Sequence, residues 1–238
     1  MIPKIIHWCW LSDEPLPANL QRYVDHWKDI LPDYEVWLWD FKRFDKSSSI
    51  WVSQAFDNKK YAFAADYIRL YALFHYGGIY LDSDVEVLKS YNPFLGLPTM
   101  ACCEYGSRNL EMATIGVEKG AKWIGDCLNV YKEKKFVRED GTFNMIPLPM
   151  VIKQILQEKG YKLVDITDES MKENKRFSAD EIPVLPYDFF SPKSFDDNKV
   201  YCTERTVSIH QFAGTWVNKK DLKWYRLKAK IKKMFHLI

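Results

Sequence analysis

The spacing of apolar residues predicts a strand, a helix and a second strand in the N-terminal part of the chain. Residues 4–10 (KIIHWCW) are almost continuously apolar, which is typical of a buried strand. After Pro17 the apolar side chains recur at spacings of four, three and four, the period of a helix that buries one face; they are Leu20, Val24, Trp27 and Leu31. Pro32 breaks this pattern, and residues 34–39 (YEVWLW) predict the second strand.

The strongest helical pattern covers residues 60–76 and is apolar nearly all round. Gly77-Gly78 ends it, because glycine readily takes the left-handed conformation of a helix C-terminus, and residues 79–81 predict a short strand directly afterwards. Weaker patterns predict strands at 112–117, 162–164 and 207–209 and helices at 121–131 and 148–159. Strands that alternate with helices indicate an α/β domain whose sheet is covered on both faces, and such sheets bind ligands at the carboxyl ends of their strands.

Composition agrees with one large domain in a reducing compartment. Of the 238 residues, 47% are hydrophobic and 16% are aromatic, which is enough to bury a sizeable core. The five cysteines have no repeated spacing, so we expect free thiols. The first residues lack the charged and long apolar regions of a signal peptide, and no apolar run approaches the roughly 18 residues that span a bilayer. We therefore expect a cytoplasmic chain.

Charge is distributed unevenly along the chain. The 34 Lys and Arg and 32 Asp and Glu residues leave a net charge of +2. Residues 219–238 hold eight basic residues and one acidic residue, so this basic tail carries +7 and residues 1–218 carry −5. We expect residues 1–218 to form the folded domain. Because an acidic body repels phosphates, the distribution argues against a nucleic-acid-binding protein.

The basic tail has the pattern of an amphipathic helix. Trp224, Leu227 and Ile231 share one face of such a helix, and lysines and an arginine cover the remainder. Aromatic and aliphatic residues on one face with Lys around them are typical of a helix that lies on an anionic membrane surface. The alternative is a solvated terminal helix that packs on the domain.

Candidate chemistry concentrates in residues 65–86, ADYIRLYALFHYGGIYLDSDVE. Asp66 and Arg69 are three residues apart and so share one face of the predicted helix. The strand after the diglycine ends at Asp82-Ser83-Asp84, and two carboxylates separated by one residue can hold one hard divalent cation such as Mn²⁺ or Mg²⁺.

Two other classes of D-x-D site fit the sequence less well. An EF-hand loop that begins at Asp82 requires Gly at position six and Glu at position twelve, where the chain has Val87 and Pro93. An aspartyl-nucleophile phosphatase usually has Thr or Val at the position of Glu86, and no matching downstream Lys and acid pair is evident. A surface ion pair is the ordinary interpretation of Asp66 and Arg69, but in so apolar a helix we expect the pair to be buried or to line a site.

The central segment fits the pattern A-D-x-x-R-x-x-x-L-x-x-x-G-G-x-Y-x-D-x-D; the matching positions are Ala65, Asp66, Arg69, Leu73, Gly77, Gly78, Tyr80, Asp82 and Asp84. Two further segments accompany it, an opening IPKIIH with Trp10 and a late HQFAGTW that begins at His210. Together they resemble the DXD-containing sugar-transferase region of glycosyltransferase family 32, which related capsular polysaccharide and outer-chain mannosyl transferases share. The chain departs from the family's late motif by having Thr215 in place of Ser.

The resemblance implies a single GT-A (Rossmann-like) domain with a mixed central sheet, a nucleotide-sugar donor, a divalent metal and retention of the anomeric configuration. We expect a metal-dependent retaining glycosyltransferase that moves a hexose from a UDP- or GDP-sugar to a growing polysaccharide or lipid-linked oligosaccharide. With the basic tail, this places the chain at the inner face of a membrane. A non-catalytic nucleotide-sugar or glycan-binding protein on the same fold is the alternative, and an aspartyl-nucleophile phosphohydrolase is a more distant one.

The same resemblance implies roles for individual residues. Trp10 would stack on the nucleobase, with backbone contacts from Cys9, and Tyr80 would lie near the ribose or phosphate. Asp66 and Arg69 would hold the hydroxyls of the donor sugar.

The metal and diphosphate contacts fall on the other two motifs. Asp82, Asp84 and His210 would ligate the metal, with Ser83 between the two carboxylates, and Thr215 and Trp216 would reach the diphosphate. His7 is expected to orient the first loop through a hydrogen bond and not to bind metal. Inverting transferases need an Asp or Glu that deprotonates the acceptor. The sequence offers only Glu104 as a weak candidate for this base, which agrees with a retaining enzyme.

Overall fold

The protein has a mixed α/β architecture in a computed structural model that describes residues 1–167, 176–214, 223–224 and 226–228. Helices α1 to α5 span Ala18–Ile30, Ile50–Asp57, Tyr61–Tyr76, Lys122–Tyr131 and Leu148–Glu158. Strands β1 to β9 span Ile5–Cys9, Glu35–Trp39, Gly78–Leu81, Val85–Val87, Thr99–Met100, Thr114–Val117, Lys162–Asp165, Glu181–Val184 and Ser208–His210. Each helix and strand that the sequence predicts within these residues is present, whereas α2, β4, β5 and β8 were not predicted.

The central sheet has five strands in the order β2-β1-β3-β6-β5. β1 pairs in parallel with both β2 and β3, and β6 runs antiparallel to both β3 and β5. This confirms the mixed central sheet that the sequence predicts. The carboxyl end of β3 therefore lies in the middle of the sheet, where D-x-D follows it.

The strands predicted at 162–164 and 207–209 exist but lie outside the central sheet. β7 pairs in parallel with β8, and β9 pairs antiparallel with β4. In the β4–β9 pair Val85 lies opposite His210, so the ribbon brings a residue from late in the chain beside the D-x-D turn. A three-residue strand carries too little periodicity to predict such a pairing from sequence.

Apolar side chains cover both faces of the sheet. On one face, α3 packs with α4 and α5 around Leu73, Ile115 and Ile152. On the other face, α1 packs through Val24 and Trp27, and the buried indole of Trp27 donates a hydrogen bond of 2.9 Å to the carbonyl oxygen of Val85. This contact fixes the start of β4 directly after the D-x-D turn.

The diglycine between α3 and β3 has no tolerance for larger residues. Gly77 and Gly78 have φ angles of 67° and 98°, a region that favours glycine. A Cβ atom on Gly78 would lie 2.6 Å from the carbonyl oxygen of Ile5. His7 approaches the same turn, with Nε2 at 2.7 Å from the carbonyl oxygen of Gly77, and its Nδ1 accepts from the indole of Trp39. The hydrogen bond expected of His7 is thus made to the diglycine turn.

The cysteines and the basic tail are the remaining features for which the sequence makes a prediction. All five cysteines are free thiols, as predicted. Only five residues of the basic tail are described, and residues 223–224 and 226–228 are helical, with the side chains of Trp224 and Leu227 half exposed. The remainder of the predicted tail helix lies outside the described residues. Within the described part of the chain, every helix is too short or too polar to cross a bilayer.

Candidate metal centre

Three side chains from two distant segments meet beyond the carboxyl end of β3. Asp82 and Asp84 flank the turn that leads into β4, and His210 ends β9 opposite Val85. One ligand atom from each of the three lies within 4.8 Å of the others, and Asp84 Oδ2 is 3.6 Å from His210 Nε2. The three residues that the resemblance implies as metal ligands are therefore brought together.

The chain that follows β9 wraps around Asp84. The backbone N–H of Gln211 donates to the carbonyl oxygen of Asp84 at 3.1 Å, and that of Ala213 donates to its Oδ2 at 2.7 Å. Asp84 is only 8% exposed. Because one of its carboxylate oxygens also accepts a backbone hydrogen bond, the side chain has little freedom to rotate. Residues 211–213 are thus held by Asp84, whose carboxylate also faces His210.

Asp82 is held by Arg69 of α3. Arg69 Nη2 donates to Asp82 Oδ1 at 2.9 Å, and Nη1 donates to the carbonyl oxygen of Met112 at 2.6 Å. The ring of Tyr80 lies 4.3 Å beneath the guanidinium. Burial by itself would lower the pKa of Arg69, but the nearby carboxylates, Asp82 foremost, outweigh it and raise the pKa. Arg69 therefore stays charged in a buried position.

Asp66 is the second carboxylate beside Arg69, at 3.6 Å from Nη2. Burial raises the pKa of Asp66 to about 7, although the charge of Arg69 opposes this. The expected pair of Asp66 and Arg69 is present beside the metal centre, with the Asp66 side chain 14% exposed. A carboxyl group of this kind can accept or donate a hydrogen bond.

Glu111 is the site residue that the sequence did not predict. It is 1% exposed, and Oε2 lies 3.2 Å from His210 Nδ1. Burial by itself would lower the pKa of His210, but the carboxylates of Glu111 and Asp84 outweigh it and raise the pKa to about 10. In the sequence, Glu111 is an acidic residue in an otherwise apolar run, directly before the strand predicted at 112–117. This pattern does not reveal that its partner, His210, lies 99 residues later.

The donor set fits a divalent cation. Two carboxylates and one imidazole are ligands that Mn²⁺ accepts readily, and Mg²⁺ accepts the carboxylates. Because Glu111 occupies Nδ1 of His210, the Nε2 atom that faces Asp84 is the one left for a cation.

Of the other predicted site residues, the structure describes Cys9, Trp10, Tyr80 and Ser83. Cys9 and Tyr80 are near Arg69, and burial raises the pKa of the Cys9 thiol to about 12. Trp10 lies in the loop after β1, where its indole donates to the carbonyl oxygen of Glu14 at 2.8 Å. Ser83 lies in the turn between the two aspartates. Thr215 and Trp216 lie outside the described residues.

A cavity of about 170 Å³ adjoins the centre; among its lining residues are Glu104, Ser107, Arg108, Asp165 and Tyr187. We call it the Glu104 cavity. A short hairpin connects it to the centre, because Cys103 pairs with Leu110, the residue before Glu111. Burial, and then the charge of Glu111, raise the pKa of Glu104 to about 8.

A family match covers the region that carries this geometry. Residues 17–99 match the family described as "Glycosyltransferase sugar-binding region containing DXD motif". The matched segment includes Asp66, Arg69, Asp82 and Asp84, so the resemblance seen in the sequence is confirmed for this region.

Curated relatives match over a similar length. The chain is 35% identical over 102 residues to mannosyl phosphorylinositol ceramide synthase SUR1 of Saccharomyces cerevisiae, covering 41% of this chain and 26% of that protein. It is 36% identical over 101 residues to inositol phosphoceramide mannosyltransferase 3 of Schizosaccharomyces pombe, covering 41% and 28%. It is 35% identical over 103 residues to uncharacterized glycosyltransferase L373 of Acanthamoeba polyphaga mimivirus, covering 41% of each. The matched parts thus span between 26% and 41% of these relatives.

A solved structure shares the fold. The PaToxG glycosyltransferase superposes on 66% of this chain and 70% of its own with a TM-score of 0.53 and 22% sequence identity. Over that part the chain shares the fold of this glycosyltransferase, in agreement with the expected fold class.

Proposed function

We propose that this chain, which carries the DXD-containing sugar-binding region of glycosyltransferases, is a metal-dependent retaining enzyme that transfers a hexose from a nucleotide-sugar donor. The observation that carries the proposal is the convergence of Asp82, Asp84 and His210 on one point at the carboxyl end of β3. Doubly wound sheets bind nucleotides at this end of their strands.

In the proposed reaction the chain's residues fix the ligands and the donor. Asp82 and Asp84 hold the cation with His210 Nε2, and the cation when bound supplies Lewis-acid stabilisation of the charge that develops on the leaving diphosphate. Arg69 holds Asp82 in place, and both of its terminal nitrogens are engaged by protein atoms. We propose that Asp66 contacts the donor's hydroxyls and that Arg69 acts beside it as the support of Asp82.

The donor is proposed to carry mannose. Two of the relatives above are named a mannosyl phosphorylinositol ceramide synthase and an inositol phosphoceramide mannosyltransferase. Their names also specify an inositol phosphoceramide acceptor, but this chain spans only about a quarter of each protein. We propose the broader acceptor class of a glycan or lipid-linked sugar.

The Glu104 cavity is the proposed acceptor site. It combines carboxylates and a hydroxyl with the ring of Tyr187, and it opens beside the segment that supports His210. The Tyr187 ring packs edge-on against Tyr105 at 4.9 Å, and Tyr105 stacks on Tyr201 at 4.7 Å. Of the three rings Tyr187 lines the cavity, and it is the proposed contact for an acceptor sugar.

The basic tail is proposed to bind the anionic inner face of a membrane. Its support is the +7 charge of residues 219–238 and the half-exposed side chains of Trp224 and Leu227. Such a location suits a lipid-linked acceptor, and it keeps the proposed enzyme at a cytoplasmic surface.

One experiment tests the enzymatic proposal. The full chain is incubated with UDP-, GDP- and dTDP-sugars, with and without Mn²⁺, and nucleotide release is measured. Release from one donor that requires Mn²⁺ and is lost in Asp84→Asn supports the proposal, with the exposed Asp140→Asn as the matched control. Donor binding without release would support a binding protein, and the absence of binding to any donor would refute both.

A further inference from the structure

Glu111 is a buried carboxylate with a complete set of partners. Oε1 accepts from the backbone N–H of Ala113 at 2.8 Å, and Oε2 accepts from Ser191 Oγ at 2.7 Å and faces His210 Nδ1 at 3.2 Å. These three contacts restrict the rotation of the carboxylate. The imidazole of His210 is consequently held in one orientation, with Nε2 towards Asp84.

The three residues 111–113 contact both sides of the metal centre. The backbone N–H of Asp82 donates to the carbonyl oxygen of Ala113 at 2.9 Å. The carbonyl oxygen of Met112 accepts from Arg69, whose other nitrogen holds the carboxylate of Asp82. Glu111 holds His210. Residues 111–113 lie between the Cys103–Leu110 bridge and β6. They therefore fix the positions of Asp82, after β3, and His210, in β9, relative to each other.

Stability alone does not explain a charged group at this position. Burying a carboxylate costs several kcal/mol before its partners compensate, and replacing buried ion pairs with apolar residues is often neutral or stabilising. A histidine that ligates metal, in contrast, regularly donates its second N–H to a carboxylate, which fixes the tautomer and makes the ligating nitrogen more basic. The arrangement Asp84–His210–Glu111 has this form.

We propose that Glu111 is a positioning residue that holds His210 for metal binding, and that segment 111–113 aligns the two halves of the metal centre. The inference rests on the proposed metal site but not on donor identity or transfer. It can therefore be tested with the metal alone.

The test measures Mn²⁺ affinity of the full chain from the electron paramagnetic resonance signal of free Mn²⁺. In Glu111→Gln the amide N–H₂ must face a donor, either the N–H of Ala113 or Nδ1 of His210, so the present arrangement is lost. We expect Mn²⁺ affinity to fall by about 10- to 100-fold, the usual effect of removing such a partner. The matched control is Glu86→Gln, which removes a carboxylate two residues from Asp84 that contacts Gln211 and not His210, and we expect no change beyond about threefold.

A double-mutant cycle separates positioning from general damage. In a His210→Ala background, Glu111→Gln should have no further effect on Mn²⁺ affinity, because the group that it positions is gone. An equal loss in both backgrounds, an unchanged affinity in the single variant, or no Mn²⁺ binding by the parent chain would each overturn the proposal. If the cycle shows the expected coupling but no donor releases nucleotide, the metal centre stands and the transferase function fails.

Discussion

Arg69 Nη2 lies 2.9 Å from Asp82 Oδ1, so helix α3 contacts the D-x-D turn through one part-buried ion pair. Arg69 is 7% exposed and also contacts the carbonyl oxygen of Met112. The pair therefore joins α3, the turn after β3 and the segment before β6. Its loss should affect folding as well as metal binding.

We expect Arg69→Ala to lower the free energy of unfolding by about 2–4 kcal/mol, because the partly buried Asp82 and Asp66 lose the guanidinium that faces them. Urea unfolding followed by circular dichroism measures this change. The control is Lys46→Ala, which breaks an exposed pair with Asp57 and should cost no more than about 1 kcal/mol. An equal cost for both variants would contradict the central role of the Arg69 pair.

The diglycine turn gives a second prediction. In Gly78→Ala the new Cβ would meet the carbonyl oxygen of Ile5 at 2.6 Å with φ at +98°, so β3 must shift against β1. We expect a loss of about 2–4 kcal/mol in the free energy of unfolding from backbone strain together with the clash. Urea unfolding checks the value.

Gly160→Ala is the matched control for this prediction. Gly160 also has positive φ, +74°, but nothing lies within 4 Å of its Cβ position. It should cost about 1–2 kcal/mol from φ alone. If the two variants are equally unstable, the close approach of β1 to the turn is not what requires glycine.

The sequence could predict the parts of the site that lie in continuous motifs. Asp82, Asp84 and the apolar helix before them follow one another at fixed spacings, and the resemblance supplied His210. Glu111 was not predictable, because its role depends on a hydrogen bond to a residue 99 positions later. Likewise Arg69 was expected to hold sugar hydroxyls, and only the structure shows both of its terminal nitrogens engaged by protein atoms.

The fold, too, was predictable only in part. Long periodic helices and apolar strands were predicted, whereas α2 and the β4–β9 pair were not. α2 has eight residues, too few for a clear period, although Ser49 caps it by accepting from the N–H of Val52 at 3.3 Å. β4 and β9 have three residues each and owe their pairing to contacts between distant segments.

His7 predicts a pH dependence of stability. Burial lowers the pKa of His7 to about 4, although its hydrogen bond to Gly77 opposes this. Between about pH 4 and 6.5 the unfolded chain binds a proton at His7 and the folded chain does not, so this group makes stability rise with pH. We expect about 3 kcal/mol to be lost as pH falls through that interval.

Urea unfolding from pH 4 to 7 measures this effect as a difference in slope between variants. His7→Gln should remove the His7 contribution, giving a shallower pH dependence whatever its absolute stability. His26→Gln alters an exposed histidine and should keep the parent slope. A parent-like slope in His7→Gln would contradict the assignment of the neutral form to His7.

If the Glu104 cavity binds the acceptor, a substitution there should weaken transfer to the acceptor and leave cleavage of the donor unchanged. Tyr187→Ala removes the ring that faces the proposed acceptor without touching the metal centre. Transfer to the acceptor that the parent chain uses best should show a KM raised by about 2- to 10-fold, since an aromatic contact contributes about 0.5–1.5 kcal/mol. Nucleotide release without acceptor should be unchanged, and Tyr23→Ala on α1 should alter neither quantity. Equal losses of release and transfer would contradict an acceptor role.

The basic tail predicts membrane binding that depends on its lysines. Each basic residue near an anionic surface contributes about 1 kcal/mol, so the triple variant K230Q/K232Q/K233Q should bind phosphatidylserine-containing vesicles about 100-fold more weakly. Cosedimentation with these vesicles and with neutral phosphatidylcholine vesicles measures the difference. The matched control, K42Q/K59Q/K153Q, removes three exposed lysines from the body, which carries −5, and should leave vesicle binding unchanged. If both triple variants bind like the parent chain, or lose binding equally, net charge and not the tail decides the interaction.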